Sequence, residues 1–228
     1  MDFVLIAPSL YTIVLLATIA ACAIASIVAT ERGWKRGVYV FKPVTTLLII
    51  ALAAFQHSSF STYQILIIGG LVFSLAGDVF LMLPRDRFVA GLVSFLVAHL
   101  LYIRAFVYFG FAATWWVMLP LAVYAAVLLR VLLPHVERKL KVPVIVYASV
   151  LLVMAWQAVE CALAGGDLDV PGPILALQAW LAAAGAMLFV ASDSALAVNR
   201  FVRHFRGADA LVLATYFAAQ TLIALSIR

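Results

Sequence analysis

The sequence predicts an all-α membrane protein, a bundle of eight transmembrane helices in one domain over residues 1–228. Hydrophobic residues make up 67% of the chain and charged residues only 11%, whereas a soluble domain carries about 25% charged residues. The mean hydropathy is +1.17. The apolar residues form long continuous runs, which argues against a β-barrel, since barrel strands are short and alternate.

Eight apolar runs have the length of about 20 residues that a helix needs to cross a bilayer. They extend over Leu10–Thr30, Tyr39–Phe55, Tyr63–Leu83, Phe88–Phe109, Trp115–Leu133, Val142–Ala164, Ile174–Val198 and Ala208–Ile227. The connections are short, so consecutive helices are expected to pack as antiparallel neighbours.

The first run contains Cys22, and the sixth contains Cys161. Neither cysteine has the spacing of a metal site, and both are expected to be small packing residues. The segment from Ile19 to Cys22 resembles a lipoprotein cleavage box. No Lys or Arg precedes it, so the basic segment of a signal peptide is missing and the run is interpreted as a membrane span.

Most basic residues lie in alternate loops, and this asymmetry predicts the orientation. The first, third, fifth and seventh loops hold thirteen of the fifteen Lys and Arg residues: Arg32, Lys35, Arg36, Lys42, Arg85, Arg87, Arg130, Arg138, Lys139, Lys141, Arg200, Arg203 and Arg206. By the positive-inside rule these loops are cytoplasmic and both termini lie outside. The net charge of +5 is therefore interpreted as loop bias, and no nucleic-acid partner is expected.

Two aspartates interrupt the apolar runs, Asp78 in the third and Asp193 in the seventh. A carboxylate at membrane depth costs several kcal/mol unless it faces a cavity or a partner. Asp78 lies seven residues before Arg85, and Asp193 lies seven before Arg200. Because both helices run in the same direction, the carboxylates are expected at one depth, roughly 10 Å from the basic residues. Two such groups at one level are expected to share a cavity.

The aspartates also hold equivalent places in the two halves of the chain. Each lies in the third of four runs, and each is followed by an Arg-Phe pair, Arg87-Phe88 or Arg200-Phe201. This pattern is compatible with a parallel four-plus-four duplication. The match is too short to establish one.

Several polar side chains are predicted at the depth of the aspartates. Lys42 opens the second helix, and its ammonium either reaches lipid phosphates or turns inward to hold a phosphate or an aspartate. Tyr147 in the sixth helix and Tyr216 in the eighth lie level with the carboxylates. Ser74 is one helical turn from Asp78, and Gln220 lies on the same helix face as Tyr216.

His99 lies near the middle of the membrane in the fourth helix. It is interpreted either as a hydrogen-bonded core residue or as a proton relay or substrate contact. The other histidines are scattered, so no zinc site with three converging ligands is expected. There is no Gly-x-Ser-x-Gly elbow and no evident Cys/His pair. Acid–base chemistry by paired carboxylates, without a metal or cofactor, is therefore the main catalytic option.

The order and spacing of these motifs resemble the YhhN family, which includes the mammalian lysoplasmalogenases. The residues that carry the resemblance are Lys42-Pro43, Gly77-Asp78, the Phe88/Gly91/Phe95/His99/Tyr102 spacing, Gly185/Phe189/Ser192-Asp193 and Tyr216/Gln220. The resemblance implies hydrolysis of the vinyl ether bond of lysoplasmalogens to a fatty aldehyde and a glycerophospho-alcohol. It also implies that Asp78 and Asp193 are the catalytic pair. The protein is expected in a bacterial cytoplasmic membrane, with a lysophospholipid substrate and bilayer lipids as its partners.

A vinyl ether is cleaved by protonation of carbon, which generates an oxocarbenium ion, followed by addition of water. One carboxyl must stay protonated near neutral pH while the other stays ionised, and two carboxyls in a poorly solvated site meet this requirement. The sequence leaves open which aspartate has which role. The predicted substrate-binding residues are Lys42, Ser74, His99, Tyr147, Ser192, Tyr216 and Gln220.

Two other functions fit the same residues. A proton-coupled transporter or permease would use buried Asp, His and Tyr as a relay, and eight helices with a repeat suit alternating access. A structural or lipid-binding protein would use the aspartates to link helices. Interhelical hydrogen bonds average only about 0.6 kcal/mol, which is too little to require two carboxylates.

Overall fold

The computed structural model describes residues 10–56, 61–84, 87–109, 114–164 and 173–227. Within these residues, eight helices are long and apolar enough to cross a membrane. They are α1 (Leu10–Glu31), α2 (Lys35–Ala54), α3 (Thr62–Met82), α4 (Phe88–Phe106), α5 (Trp115–Leu132), α6 (Lys141–Ala164), α7 (Pro173–Ala197) and α8 (Ala208–Leu225).

The predicted all-α bundle of eight transmembrane helices is therefore confirmed, and each predicted run coincides with one helix to within a few residues. Arg85, which was used to predict the orientation, lies outside the described part of the chain. So do the second, fourth and sixth loops, at 57–59, 110–113 and 165–169, which carry no Lys or Arg.

Six of the eight described helices form a ring. Around it, α2 packs on α3, α3 on α4, α4 on α6, α6 on α7, α7 on α8, and α8 on α2. Outside the ring, α1 lies in the groove between α2 and α8, and α5 packs on α6. The ring encloses one apolar core whose largest fully buried side chains include Tyr63, Tyr102, Phe106 and Phe189.

The helices of the bundle alternate in direction. At one end, the last turns of α1, α3 and α7 meet the first turns of α2, α4 and α8, since residues of all six line one cavity there. At the opposite end, the Tyr63 hydroxyl forms a 2.8 Å hydrogen bond with Ser226. Nearby, Gln64 Nε2 donates to the Ala53 carbonyl at 2.8 Å. The expected antiparallel packing of sequential helices is therefore confirmed for every consecutive pair except α4 and α5, which do not pack closely on each other.

The two halves of the chain pack in the same pattern. The α3–α4 contact corresponds to α7–α8, the α2–α3 contact to α6–α7, and the α4–α6 contact to α8–α2. Asp78 on α3 is bonded to α2, and Asp193 on α7 is bonded to α6. This arrangement supports the parallel duplication. The two halves differ in one contact. In the first half α1 packs against α8, whereas α5, the helix that corresponds to α1, makes no comparable contact with α4.

Gly77 and Gly185 let helices of the bundle approach each other closely. A Cβ at Gly77 would lie 2.6 Å from the ring of Phe95, and a Cβ at Gly185 would lie 2.8 Å from the carbonyl oxygen of Ala219. Real Cβ atoms are not found at such distances from neighbouring atoms. The two glycines therefore set the α3–α4 and α7–α8 spacings at which the polar side chains meet.

Candidate active site

A cavity of about 630 Å³ lies at the end of the bundle that carries the basic connections. Asp78 from α3 and Asp193 from α7 both line it. Its mouth includes the exposed residues His135, Glu137 and His204 from the connections after α5 and α7. The two aspartates therefore share one cavity, as their matching places in the third and seventh helices predict.

Asp78 is 1% exposed, and three side chains contact its carboxylate among the described residues. Lys42 Nζ lies 3.2 Å from Oδ1, Thr46 donates to Oδ2 at 2.8 Å, and Tyr216 donates to Oδ2 at 2.7 Å. The Lys42 side chain is only 13% exposed, so it turns inward instead of extending to lipid phosphates. A cation and two hydroxyl donors stabilise the ionised form of a carboxylate.

Thr46 is a partner of Asp78 that the sequence pattern did not reveal. It lies four residues after Lys42, on the same face of α2, because residues four apart in a helix stack above one another. That spacing is the signal that would have identified it. The Thr46 hydroxyl is also 3.4 Å from the Lys42 carbonyl, so the shorter contact with Asp78 is the stronger hydrogen bond.

A row of polar side chains extends from Asp78 into the bundle. Tyr216 lies beside Gln220, whose Oε1 accepts a 2.8 Å hydrogen bond from the Tyr102 hydroxyl. Ser74 lies beside Tyr102. All three inner residues are fully buried and lie behind the described residues that line the cavity. Gln220, predicted to bind substrate, is therefore placed to position Tyr102 through this hydrogen bond. Ser74, also predicted to bind substrate, lies behind the cavity, and its hydroxyl has no hydrogen-bond partner among the described residues.

Asp193 is half-buried and accepts a hydrogen bond from the Tyr147 hydroxyl on α6. Among the described residues, Tyr147 is the one side chain bonded to this carboxyl. The Tyr147 ring packs edge-on against His99, with 5.3 Å between the ring centroids. Asp193 therefore has a much less polar environment than Asp78.

His99 is fully buried, and neither of its ring nitrogens has a hydrogen-bond partner within the described part of the chain. His99 is therefore a core residue, but the interpretation that hydrogen bonds hold it in the core is wrong for the described part of the chain. Ring contacts hold it instead, since its centroid lies 4.7 Å from that of Phe189. It supports Tyr147 from behind and is not among the described residues that line the cavity.

Three aromatic rings join the surroundings of the two aspartates. Phe95, Phe189 and Tyr216 pack edge to face. The ring centroids are 6.2 Å apart for Phe95 and Phe189, 5.9 Å for Phe95 and Tyr216, and 5.6 Å for Phe189 and Tyr216. Such edge-to-face packing is a favoured geometry for aromatic rings. Because Phe95 and Tyr216 also line the cavity, the cluster gives it a rigid aromatic wall.

Ser192 lines the cavity, but its hydroxyl donates to the Val212 carbonyl at 3.0 Å. This bond joins α7 to α8, and the hydroxyl oxygen keeps its capacity to accept a hydrogen bond. The predicted site residues thus fall into three groups. Lys42, Asp78, Ser192, Asp193 and Tyr216 line the cavity, Tyr147 lines an adjoining apolar crevice, and Ser74, His99 and Gln220 lie behind.

Arg200 is an exposed cation at the mouth of the cavity. It lies on a π-helical turn, Val198–Val202, that continues α7. Its guanidinium packs over the ring of Phe88, 4.0 Å from the centroid. The sequence identified Arg200 only as a basic loop residue, because no local pattern predicts the π turn. Such turns occur frequently at functional sites.

The cavity can support acid–base chemistry. It exposes one carboxylate stabilised by a cation and two hydroxyls, and one carboxyl that has a single phenol partner among the described residues. Within the described part of the chain, no group of three or more His, Cys, Asp or Glu side chains could hold a metal ion.

Comparison with known proteins identifies relatives over most of the chain. The family model described as the YhhN family matches residues 37–227. The uncharacterized membrane protein YhhN of Escherichia coli O157:H7 is 34% identical over 218 residues, which cover 92% of this chain and 97% of that protein. Lysoplasmalogenase TMEM86B of Homo sapiens is 34% identical over 186 residues, or 80% of this chain and 73% of that protein. Lysoplasmalogenase TMEM86A of Bos taurus is 34% identical over 210 residues, which cover 87% of this chain and 80% of that protein. No solved structure matches the chain.

Proposed function

This chain belongs to the YhhN family, and we propose that it is a membrane-embedded hydrolase that cleaves the vinyl ether bond of lysoplasmalogen-like lysolipids. The observation that carries the proposal is one cavity lined by two carboxyls with different partners, Asp78 and Asp193. The relatives named lysoplasmalogenase support the choice of substrate. The basic connections around the mouth support a cavity that opens to the cytoplasm.

The contacts of the two aspartates support different roles. Asp78 is the base, because Lys42, Thr46 and Tyr216 stabilise its negative charge. Asp193 is the acid, because Tyr147 is its one side-chain partner among the described residues and an apolar crevice adjoins it. Two carboxyls whose surroundings differ in this way are the usual means of providing an acid and a base at one pH.

The reaction begins when Asp193 gives its proton to the double-bond carbon remote from the ether oxygen. The resulting oxocarbenium ion is attacked by water at the carbon next to that oxygen, while Asp78 takes a proton from the water. The hemiacetal then loses its hydroxyl proton to Asp193, and its bond to the glycerol oxygen breaks. The glycerol oxygen takes the proton held by Asp78. One water is consumed, and both aspartates return to their starting states.

The mouth of the cavity is suited to an anionic head group. Arg200 projects from the π turn beside the exposed His204, and a guanidinium can bind two phosphate oxygens at once. Lys42 is already paired with Asp78 at 3.2 Å. We assign the phosphate contact to Arg200 because of its place at the mouth, while Lys42, beside Asp78, serves the base.

The direct test is an assay of purified protein in detergent with three lysolipids: a vinyl ether, its saturated alkyl ether analogue and an ester. The proposal predicts free fatty aldehyde from the vinyl ether alone. In deuterium oxide, the aldehyde, trapped by reduction, should carry one deuterium on the carbon next to the former carbonyl, because protonation occurs there. Absence of aldehyde, or fatty acid release from the ester at an equal rate, would contradict the proposal.

The same assay separates hydrolysis from transport. Hydrolysis needs no sealed compartment and proceeds in detergent, whereas a permease shows activity only across a closed membrane. Movement of lysolipid or protons into vesicles, with no aldehyde in detergent, would favour the permease.

A further inference from the structure

An apolar crevice of about 70 Å³ adjoins the main cavity. Its walls come mainly from α4, α5, α6 and α7 and include Leu92, Leu128, Leu132, Val144, Ala148 and Leu151. Asp193 and Phe95 line both the crevice and the main cavity. The proposed acid therefore lies at the boundary between a space with charged walls and a space with apolar walls.

The crevice exists because the two halves of the bundle differ in one helix. In the first half, α1 packs against both α2 and α8. In the second half, α5 packs on α6 but makes no comparable contact with α4, so the equivalent groove is left unfilled. Only Val117 and Leu132 of α5 are buried. The crevice therefore lies between two helices, α4 and α5, that do not pack closely on each other.

One contact fixes α5 at the crevice. The Tyr124 hydroxyl on α5 donates to Ser194 Oγ on α7 at 2.7 Å, and Ser194 lines the crevice. α5 also packs on the π turn at the end of α7. The outer wall of the crevice is therefore held in place beside Asp193 without closing against α4.

We propose that this crevice holds the hydrocarbon chain of the lysolipid and guides it out between α4 and α5. This inference rests on the proposed function, because the vinyl ether joins the polar glycerol to the apolar chain. A substrate with its glycerophosphate in the main cavity and its chain in the crevice places that bond at Asp193. The crevice therefore determines both the position of the double bond and the preference for chain length.

Chain-length dependence is the quantitative consequence. Each methylene that leaves water for the crevice should improve binding about fourfold. The gain should continue until the chain passes the rim between α4 and α5. A chain that is too short to fill the crevice loses this contribution, although its vinyl ether is chemically identical.

The test narrows the crevice from two opposite walls with Ala148→Phe on α6 and Leu128→Trp on α5. Binding of saturated 1-O-alkyl lysophospholipids of increasing chain length, which have no vinyl ether, is measured with the protein in amphipol, at concentrations where the free lysolipid is a monomer in water. Wild-type protein should bind longer chains more tightly, and both variants should flatten this dependence while keeping the affinity for the shortest chain. Val146→Phe is the matched control, because Val146 lies two residues before Ala148, on the exposed face of α6, at 45% exposure.

The outcomes separate this inference from the proposed function. If both variants keep the full wild-type chain-length dependence, the crevice is not the chain site. An equal loss of affinity for all chain lengths would also overturn it. If wild-type protein shows the dependence and the variants lose it, but no lysolipid releases aldehyde, the chain site stands and the proposed hydrolysis fails. A variant that does not fold is identified by size-exclusion chromatography, and the other variant then decides.

Discussion

Asp78 and Asp193 line one cavity from equivalent helices, but among the described residues only Asp78 is paired with a cation, Lys42, at 3.2 Å. The difference comes from α2 and α6, the helices that pack beside the aspartates in the two halves. α2 supplies Lys42 and Thr46, whereas α6 supplies Tyr147. The two corresponding halves of the bundle are therefore chemically distinct at this point, as the proposed roles of acid and base require.

The Lys42–Asp78 pair predicts a specific loss of stability. Lys42→Met leaves a buried carboxylate without its cation, which typically costs 3–5 kcal/mol. We expect about 3 kcal/mol, the lower end of that range, because Thr46 and Tyr216 still donate to Asp78. The measurement is thermal unfolding of the purified protein in detergent.

The control for this prediction is the double variant Lys42→Met/Asp78→Asn. It has no uncompensated charge, so most of the lost stability should return while aldehyde release stays absent. A Lys42→Met protein as stable as wild type would show that the pair does not stabilise the fold. Lys42→Arg keeps the cation and should unfold near the wild-type temperature.

Tyr147→Phe tests the support of Asp193. The change removes the hydrogen bond to Asp193, the proposed acid. A contribution of about 1–3 kcal/mol from that bond corresponds to a fall of roughly 5- to 150-fold in kcat/KM. The ring and its packing against His99 are kept, so the unfolding temperature should change little. Tyr39→Phe is the matched control, since Tyr39 lies on α2 with 39% exposure. Equal activity in the two variants would remove Tyr147 from the site.

Gly185→Ala tests the close contact between α7 and α8. The new methyl group would lie 2.8 Å from the Ala219 carbonyl oxygen and 2.8 Å from Ile223 Cγ1. The helices must move apart, so we expect a loss of about 1–3 kcal/mol, together with reduced activity. Gly69→Ala is the control, because its methyl group would meet only the end of the Leu101 side chain at 3.3 Å. That change should be neutral or stabilising by up to about 1 kcal/mol; the reverse order of stability would contradict the packing described.

The helices were predictable because lipid imposes a simple rule on sequence. Spans such as Leu10–Thr30 and Ala208–Ile227 contain almost only apolar residues, and the ends of the helices follow from polar connections. The shared cavity was also predictable, since Asp78 and Asp193 have the same spacing from the basic ends of helices that run in the same direction.

The partners of the aspartates were less predictable because they depend on how helices rotate about their axes. Lys42 had two plausible orientations, and only the packing of α2 against α3 selects the inward one. His99 is buried by ring contacts that no spacing in α4 reveals. The π turn that carries Arg200 involves backbone hydrogen bonds across five residues, which residue type alone does not determine.

The most direct test of the central claim is the rate of aldehyde release from lysoplasmalogen by Asp78→Asn and Asp193→Asn, each purified and shown to fold. Asparagine keeps the size of the side chain but cannot exchange a proton, so both variants should lose about 10²- to 10⁴-fold in kcat. Asp209→Asn, at an exposed position on the rim of the same cavity, should keep the wild-type rate. A rate near wild type in either of the first two variants would contradict acid–base catalysis by this pair.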